Sequence, residues 1–352
     1  MDLKKFRDPE IVSSLLKEIH LYKDPLNIME VCGSHTMAIG HWGIRKLLPE
    51  NIRLISGPGC PVCVTPAALI DQAAQLRNVA LYTFGDLIRV PGNITSLEKA
   101  RSEGADIRIA YSPLEALQNA EQEETVFIGI GFETTIPGIA YTILEAAKRK
   151  LSNFSVLPAF KTVPPALKAI LSSDDSRIDG FLLPGHVSVI LGEKDYQFLV
   201  EDFKVGGVIC GFEPVDILLA IKKLIDQKYT LKPGIDNEYS RVVSAPGNLR
   251  AKEVINQVLE PVDAVWRGLG TIPASGLGIR SEYSQYDTSR KYDLKIDDTE
   301  IESSCRCGDV LKGKILPSDC PLFAEVCEPS NPIGPCMVSS EGSCAAYYKY
   351  ER

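Results

Sequence analysis

The residues with the clearest chemical capacity are ten cysteines, nine of which fall into three groups along the 352-residue chain. CGSHT spans residues 32–36, GPGCPVC spans residues 57–63, and six further cysteines lie between residues 305 and 344. Paired or clustered thiols bind metal ions and exchange electrons, whereas structural disulfides are rare in reducing compartments. The spacing therefore predicts metal binding or thiol redox chemistry rather than a disulfide framework.

The first group centres on Cys32, which follows directly on a predicted strand and therefore lies at the carboxyl end of a sheet, where doubly wound folds bind ligands. We expect Ser34 or Thr36 to cap the next helix, whose N-terminal dipole would lower the pKa of Cys32 and favour the metal-binding thiolate. A buried cysteine beside a capping serine is the alternative. His35, three residues away, favours the functional interpretation.

The second group, GPGCPVC, again leaves a predicted strand, and a helix is expected after Pro66. Its proline and glycine residues predict a rigid, open loop. Two intervening residues bring the sulfurs of Cys60 and Cys63 within reach of one metal ion or of each other. The motif alone therefore suits a chelate or a reversible disulfide equally well.

Two further strand ends carry titratable side chains, His186 in PGHV at 184–187 and Glu133 in GFETT at 131–135. His186 would reach the edge that carries the thiols if two domains face one another, and would act there as an acid-base group or hydrogen-bond partner; a structural histidine is the alternative. GIGFETT at 129–135 is not a dinucleotide loop, because Thr134 occupies the place of its third glycine. Glu133 either contributes to the cleft or is an acid favoured by a helix dipole, with Thr134 and Thr135 as caps.

The last group contains enough thiols for a metal centre, with six cysteines at the positions Cys305, Cys307, Cys320, Cys327, Cys336 and Cys344. Four thiolates complete one cubane iron-sulfur cluster, and the absence of histidine beyond residue 186 argues against a mixed Cys/His zinc site. An all-cysteine zinc site is the structural alternative. The two remaining thiols would suit a redox-active disulfide beside the cluster.

Three other residues carry less weight. Cys210 lies inside an apolar strand and is expected to be a packing residue, and His20 follows a charged helix and is expected to be solvated. His41, beside Trp42, packs or serves the site, and the sequence does not choose between these roles.

The elements that must position these residues are strands and helices in alternation, which predicts parallel sheets. Eight apolar runs are expected to be strands: LNIMEVC at 26–32, IRLISG at 52–57, VALYTFG at 79–85, DIRIAY at 106–111, TVFIGIGFE at 125–133, FSVLPAF at 154–160, DGFLLPGHV at 179–187 and VGGVICGF at 205–212. We predict an α/β protein with two doubly wound domains, 1–118 and 119–240, facing a cleft. A small, irregular, cysteine-rich domain organised by metal is expected at 241–352.

Charge and hydropathy exclude several classes of partner. The formal charge is −8, and the basic residues are scattered, so nucleic acids and anionic membranes are not expected to bind. The N-terminal MDLKKFRDPE has no apolar core of a signal peptide, and no stretch approaches the roughly 18 apolar residues that cross a bilayer. A cytoplasmic protein is expected.

In this order, CGSHT, GPGCPVC with Pro66, GFETT, PGHVS and the tail CMVSSEGSCAAYYKY resemble the HypD family of hydrogenase maturation factors over nearly the whole chain. The resemblance implies two α/β domains and a third domain around a 4Fe-4S cluster. It also implies a scaffold that holds iron with the small partner HypC, while two cyanides delivered through HypE and one carbon monoxide are attached. The finished unit then passes to the large subunit of a nickel-iron hydrogenase.

The same resemblance implies roles for individual residues. Cys32 would be the iron-binding thiol, shared with a cysteine of HypC; Cys60 and Cys63 would be a nearby redox or binding pair, and His186 the cleft histidine. The cluster region is also similar to that of ferredoxin:thioredoxin reductase, which implies Cys305, Cys320, Cys327 and Cys344 as cluster ligands and Cys307 with Cys336 as a redox pair.

Two hypotheses from other functional classes are also compatible with the sequence. An iron-sulfur-dependent thiol-disulfide reductase acting on protein disulfides through CPVC would explain the cysteines, but it gives no role to CGSHT or PGHV. A zinc-stabilised binding module would have no redox chemistry and no colour. Whether the chain is itself an enzyme is left open, beyond an assembly scaffold with thiol redox and electron-transfer activity.

Overall fold

A computed structural model describes residues 3–294 and 304–352 of the chain. All eight strands predicted from the apolar runs are confirmed, and a short ninth strand and a hairpin follow them. The strands are β1 Leu26–Glu30, β2 Ile52–Ser56, β3 Ala80–Thr83, β4 Ile107–Ile109, β5 Thr125–Gly131, β6 Phe154–Phe160, β7 Gly180–Pro184, β8 Gly206–Cys210, β9 Ile235–Asn237, β10 Leu259–Trp266 and β11 Gly270–Ile279.

Helices separate most of the strands, and several begin with proline in the first turn, where the missing backbone N–H has no helical partner in any case. The α-helices are α1 Pro9–Ile19, α2 Gly33–His41, α3 Ile44–Leu47, α4 Ala67–Gln75, α5 Leu97–Ser102, α6 Pro113–Asn119, α7 Ile136–Arg149, α8 Val163–Leu171, α9 Gly185–Leu191, α10 Phe198–Glu201, α11 Pro214–Thr230, α12 Leu249–Val258, α13 Thr288–Lys291, α14 Cys307–Leu311, α15 Pro335–Val338 and α16 Ser343–Tyr350. Short 3-10 helices span Leu3–Arg7, Gly85–Leu87, Lys194–Tyr196, Ser281–Tyr286 and Pro317–Asp319.

The strands form two parallel sheets whose membership does not follow the order of the chain. Sheet A has the order β2-β1-β7-β8-β9 and sheet B the order β4-β3-β5-β6. The chain therefore starts sheet A, leaves it after β2 to build the whole of sheet B, and returns to sheet A with β7. This grouping differs from the expected division into 1–118 and 119–240, because β1 pairs directly with β7, as Ile28 with Gly180.

The central strands of both sheets are buried on both faces, which explains the uninterrupted apolar runs from which these strands were predicted. All seven residues of β5 and all five of β8 are buried. One continuous core joins the two sheets and the cysteine-rich region; it includes Met29 of β1, Val126 of β5 and Leu311 of α14. The parts of the molecule that carry cysteines are therefore held in fixed positions by shared packing.

The segment 241–294 is more regular than predicted, since it contains α12 and an antiparallel hairpin, β10–β11. Trp266 anchors the hairpin: it is fully buried, its indole N–H donates to the Ser275 hydroxyl at 2.8 Å, and its ring stacks on Phe132. The alternation of apolar and polar residues was missed because glycine and proline interrupt it, and β11 owes its place to packing on β6 and α8.

The cysteine-rich end is tied to sheet A by its last helix. Helix α16 packs along α2, where a Cβ on Gly40 would lie 3.0 Å from the ring of Tyr350. Arg45 forms an ion pair with Glu351 and lies over the ring of Tyr347 at 4.6 Å. The helix that starts beside Cys32 is therefore one docking surface of the C-terminal region.

Among the helices of residues 3–294 and 304–352, none combines the length and the apolar character that crossing a bilayer would need.

Candidate functional site

The site lies at the carboxyl edge of sheet A, and the strand order explains which residues meet there. Cys32 follows β1, Cys60 follows β2, His186 follows β7 and Phe212 follows β8, and these four strands are consecutive neighbours in the sheet. His186 therefore shares an edge with the thiols because β7 lies beside β1. We expected His186 to reach this edge from a second domain that faces the first, whereas in the fold it follows a strand of the same sheet as the thiols.

Cys32 is the N-cap residue of α2, with extended backbone angles, as expected for a residue that leaves a strand for a helix. The backbone N–H groups of Ser34 and His35 point at its sulfur and lower the thiol pKa, as predicted. Burial acts in the opposite direction and is the larger effect, so the pKa of Cys32 rises to about 12. The expectation of a lowered pKa is wrong for the protein alone, where this sulfur is a neutral thiol.

The hydroxyl groups that were predicted to cap α2 are used elsewhere, since Cys32 itself occupies the N-cap position. The Ser34 hydroxyl donates to Glu341 at 2.7 Å, and the Thr36 hydroxyl donates to the buried Glu30 at 2.6 Å. Glu341 and Glu30 both act on Cys32 as negative charges, in addition to its burial. The thiol therefore has two carboxyl groups in its surroundings that the motif itself did not indicate.

A histidine stack of three rings lies at the sheet edge that carries Cys32; one of its ring pairs is stacked and the other is tilted. Phe212 lies between the ring of His35, at 4.7 Å between centroids, and the ring of His186, at 4.2 Å. His35 is fully buried, and its Nε2 lies 3.0 Å from the carbonyl oxygen of Gly211 and 3.2 Å from that of Cys210. Burial lowers the pKa of His35 to about 4, so the ring is neutral and Nε2 carries the proton that it donates.

This tautomer leaves a lone pair on Nδ1 of His35, and that atom is buried without a hydrogen-bond partner in the described part of the chain. His186 is the accessible member of the stack. Partial burial lowers the pKa of His186, and the charge of Glu341 opposes that shift. His186 and Cys32 thus both lie within the electrostatic influence of Glu341.

The CPVC loop packs directly against the backbone of Cys32. The Gly33 N–H donates to the Gly59 carbonyl oxygen at 3.0 Å, and a Cβ on Gly59 would lie 2.3 Å from the Cys32 nitrogen. Cys60 and Cys63 are 3% and 0% exposed, so the loop is closed, which corrects the expectation of an open loop. Helix α4 begins after Pro66, as predicted.

The tail of the chain covers this loop. The Cys60 thiol donates to the Ser339 hydroxyl at 3.3 Å, and the same hydroxyl donates to Asp86 at 3.2 Å. Two residues further on, Glu341 reaches the CGSHT motif through Ser34. Residues 339–341 therefore bridge the two cysteine motifs of the first 63 residues.

A row of thiols links the CPVC loop to the C-terminal cysteines. Cys63 lies within hydrogen-bonding reach of Cys60 and of Cys336, and burial raises its pKa well above the ordinary thiol value. Cys336 in turn contacts Cys307, which contacts Cys305. Sequence reasoning left open how the six C-terminal cysteines are connected; the fold sets Cys307 and Cys336 next to each other and next to Cys63.

All six C-terminal cysteines line one cavity, whose remaining wall is largely apolar; they are joined there by Arg306, Val310, Leu322, Phe323, Gly334 and Met337. An all-sulfur donor set in apolar surroundings fits an iron-sulfur cluster or a zinc ion with four cysteine ligands. The cysteines fit such a metal centre by their donor atoms and by their convergence on one cavity. Their spacing is not yet that of a metal site, since within residues 3–294 and 304–352 no three Cys, His, Asp or Glu side chains are close enough together to hold a metal ion.

Glu133 lies at a strand end as predicted, but its carboxylate serves a different helix from the one expected. One oxygen accepts the backbone N–H of Val163 at 2.8 Å, at the start of α8, and the other is buried without a partner in the described residues. Thr135 is the N-cap of α7 and makes no capping hydrogen bond. Burial raises the pKa of Glu133 to about 7.

Glu133→Gln is expected to remove a pH-dependent loss of stability. A buried carboxyl group with a raised pKa keeps its proton in the folded state and releases it on unfolding, so stability falls as pH rises from about 4.5 to about 7 and then stays level. The shift corresponds to about 3 kcal/mol. Urea unfolding of both proteins across this range should show the free energy of unfolding of the variant increasing relative to that of the wild type as pH rises. A constant difference between the two proteins would contradict this prediction.

Three weaker candidates have clear positions. Cys210 is buried in β8, as expected of a packing residue, and His20 is exposed, as expected. His41 is exposed at the far end of α2 from Cys32, with its ring edge-on to Trp42 and Tyr350. These ring contacts support the packing role among the two that the sequence left open for His41.

Sequence reasoning missed Glu341, Ser339 and Phe212. The signals were present: Glu341 and Ser339 lie in the tail motif CMVSSEGSC, and Phe212 belongs to the Gly-Phe-Glu at 211–213 that repeats the Gly-Phe-Glu of GFETT. Both copies of this tripeptide stand at the end of a strand and precede a helix.

Comparison with known proteins shows the family of the chain. The family model described as HypD, hydrogenase formation hypA family, matches residues 10–351. Hydrogenase maturation factor HypD2 of Bradyrhizobium diazoefficiens is 46% identical, covering 99% of this chain and 96% of its own length. The HypD factors of Cupriavidus necator and Escherichia coli are each 42% identical, covering 99% of this chain and 97% of their own lengths. The chain therefore belongs to the HypD family of hydrogenase maturation factors.

Proposed function

We propose that this chain is the scaffold on which the iron unit of a nickel-iron hydrogenase, with its two cyanides and one carbon monoxide, is assembled. In this proposal it works in the cytoplasm with HypC, receives cyanide through HypE, and delivers the unit to the hydrogenase large subunit. The observation that carries the proposal is the position of Cys32, a thiol at the same sheet edge as His35 and His186 and within the electrostatic influence of Glu341.

Cys32 would hold the iron, which is the cargo of the reaction and not a resident cofactor. Soft, electron-rich thiolates bind iron well, and iron displaces the proton of a thiol that is neutral in the free protein. The N–H groups of Ser34 and His35 then face a thiolate and stabilise it. His186, the accessible histidine, and Glu341 would orient incoming ligands or move protons beside the iron.

The C-terminal cavity would hold a 4Fe-4S cluster through Cys305, Cys320, Cys327 and Cys344, the set implied by the resemblance. Such a cluster supplies single-electron transfer. The six thiols of this cavity and its largely apolar remaining wall support this assignment.

Cys307 and Cys336 would be the redox pair between the cluster cavity and the CPVC loop. Oxidation of the two thiols to a disulfide releases two electrons and two protons. Because Cys336 contacts Cys63, the reduced pair can reopen a Cys60–Cys63 disulfide by thiol-disulfide exchange, ending as a Cys307–Cys336 disulfide itself. This exchange would keep the thiols beside Cys32 reduced.

A general reductase acting on protein disulfides is less well supported. Such an enzyme needs a nucleophilic thiol that a partner's disulfide can reach, and the burial of Cys60 and Cys63 under residues 339–341 removes that access. The alternative also leaves Cys32 and the histidine stack without a role.

Metal and sulfide analysis of the anaerobically purified protein tests this proposal. We expect about four iron and four acid-labile sulfide per chain with a brown visible spectrum, and additional iron in the complex isolated with HypC. Zinc without sulfide would contradict the redox part of the proposal. A cluster without additional iron in the HypC complex would favour the reductase.

A further inference from the structure

A second cavity lies at the opposite edge of sheet A, where the strands begin. Asn27 of β1 and Arg53 of β2 line it from the sheet, and the end of α8, the segment 173–178 and residues 312–314 form the other walls. Its volume is about 630 Å³, within the range of small-molecule sites. Because Cys32 lies at the carboxyl ends of the same strands, this cavity is separate from the site described above.

The charged residues that line the cavity are mostly positive, although the chain as a whole carries −8. Four cations line it, and its one acidic residue, Asp175, is paired with Lys314 at 2.5 Å. Arg53, Arg177 and Lys312 have no ion pair within the residues that the structure describes. Three uncompensated cations around one cavity favour an anion with several charges.

The lining also defines the shape of that anion. Ser176 has a buried hydroxyl without a hydrogen-bond partner in the described chain, and it lines the cavity. Apolar contact comes only from aliphatic side chains: Ile55, Ala169, Ile170, Ile178, Leu269 and Ile272. Among the described lining residues there is no aromatic ring on which a nucleobase could stack. A compact aliphatic ligand fits these walls better than a nucleotide.

We propose that this cavity binds a compact aliphatic polyanion, of phosphate or carboxylate type, through Arg53, Arg177 and Lys312, with the Ser176 hydroxyl donating to one of its oxygens. The three cations come from three parts of the fold: Arg53 from sheet A, Arg177 from the segment before β7, and Lys312 from the segment after α14. Gly313 packs on Ile55 beside them. The bound anion would therefore fasten the cysteine-rich region to sheet A.

Calorimetric titration of the full chain with inorganic pyrophosphate, and separately with citrate, tests this site at low ionic strength. We expect saturable binding of one probe or both, weakened about tenfold or more in the double variant Arg177→Gln, Lys312→Gln, because each substitution removes a charged donor. Both side chains are exposed, so the variant is expected to fold.

Lys99→Gln with Arg101→Gln is the matched control, since it removes two exposed cations from α5, outside the cavity. Pyrophosphate binding alone would identify a phosphate ligand, and citrate binding alone a carboxylate ligand. The proposal is overturned if neither probe binds, or if the control weakens binding as much as the cavity variant, which would indicate only general attraction between charges.

Discussion

Replacement of Cys32 by serine is expected to reduce hydrogenase activity to the level of cells that lack this protein. A serine hydroxyl is a harder and far less acidic ligand than a thiol, so it does not hold ferrous iron in place of the sulfur. Serine is close to cysteine in size, and the backbone contacts of the N-cap remain, so the variant is expected to fold. The measurement is hydrogen uptake by cells that produce the variant from a single copy of its gene.

Cys210→Ala is the matched control for this experiment. Cys210 is as deeply buried as Cys32 and lies beside the same histidine, with its sulfur 3.3 Å from Nε2 of His35, but it holds no ligand in this account. Loss of a small buried group costs about 1 kcal/mol, and maturation should persist. Normal activity with Cys32→Ser would remove the central residue of the account.

Gly59→Ala is expected to disable maturation without changing any candidate ligand. The added Cβ would lie 2.3 Å from the nitrogen, 2.5 Å from the Cα and 2.7 Å from the carbonyl carbon of Cys32, and these backbone atoms cannot rotate away. The hydrogen bond between Gly33 and Gly59 holds the two loops at this separation. We expect a loss of about 1–3 kcal/mol in the free energy of unfolding and a displaced CPVC loop.

Gly138→Ala provides the comparison for a change of the same size. Nothing lies within 4 Å of a Cβ at this exposed position in α7, so the substitution is expected to stabilise the helix by about 0.5–1 kcal/mol. Urea unfolding and hydrogenase activity are measured for both variants. Wild-type values for Gly59→Ala would show that the close approach of the two loops has no functional importance.

The strands could be predicted from sequence because a strand that is buried on both faces consists of a short, continuous run of apolar residues. Which strands pair could not, because pairing depends on contacts between distant parts of the chain, such as β1 with β7. The hairpin β10–β11 was missed for a related reason: its long strands contain prolines and glycines, and tertiary packing around Trp266 stabilises them.

At the site, sequence reasoning placed Cys32, Cys60 and His186 at strand ends, since strand-to-helix junctions are local features. The direction of the Cys32 pKa shift was wrong because burial of that thiol depends on how the fold covers it, and residues 339–341 lie some 300 residues away. Glu341 was not predicted as a neighbour of Cys32 for the same reason, because the two residues are far apart in sequence. The contact of Cys63 with Cys336 is equally a product of the tertiary fold.

Infrared absorption of the complex with HypC tests the central claim most directly. Protein isolated anaerobically from maturation-competent cells should show bands in the cyanide and carbonyl stretching region, and these bands should be absent when Cys32→Ser replaces the wild-type chain at unchanged cluster content. Bands of equal intensity in the Cys32→Ser complex would contradict the account, because the iron unit would then be held without this thiol.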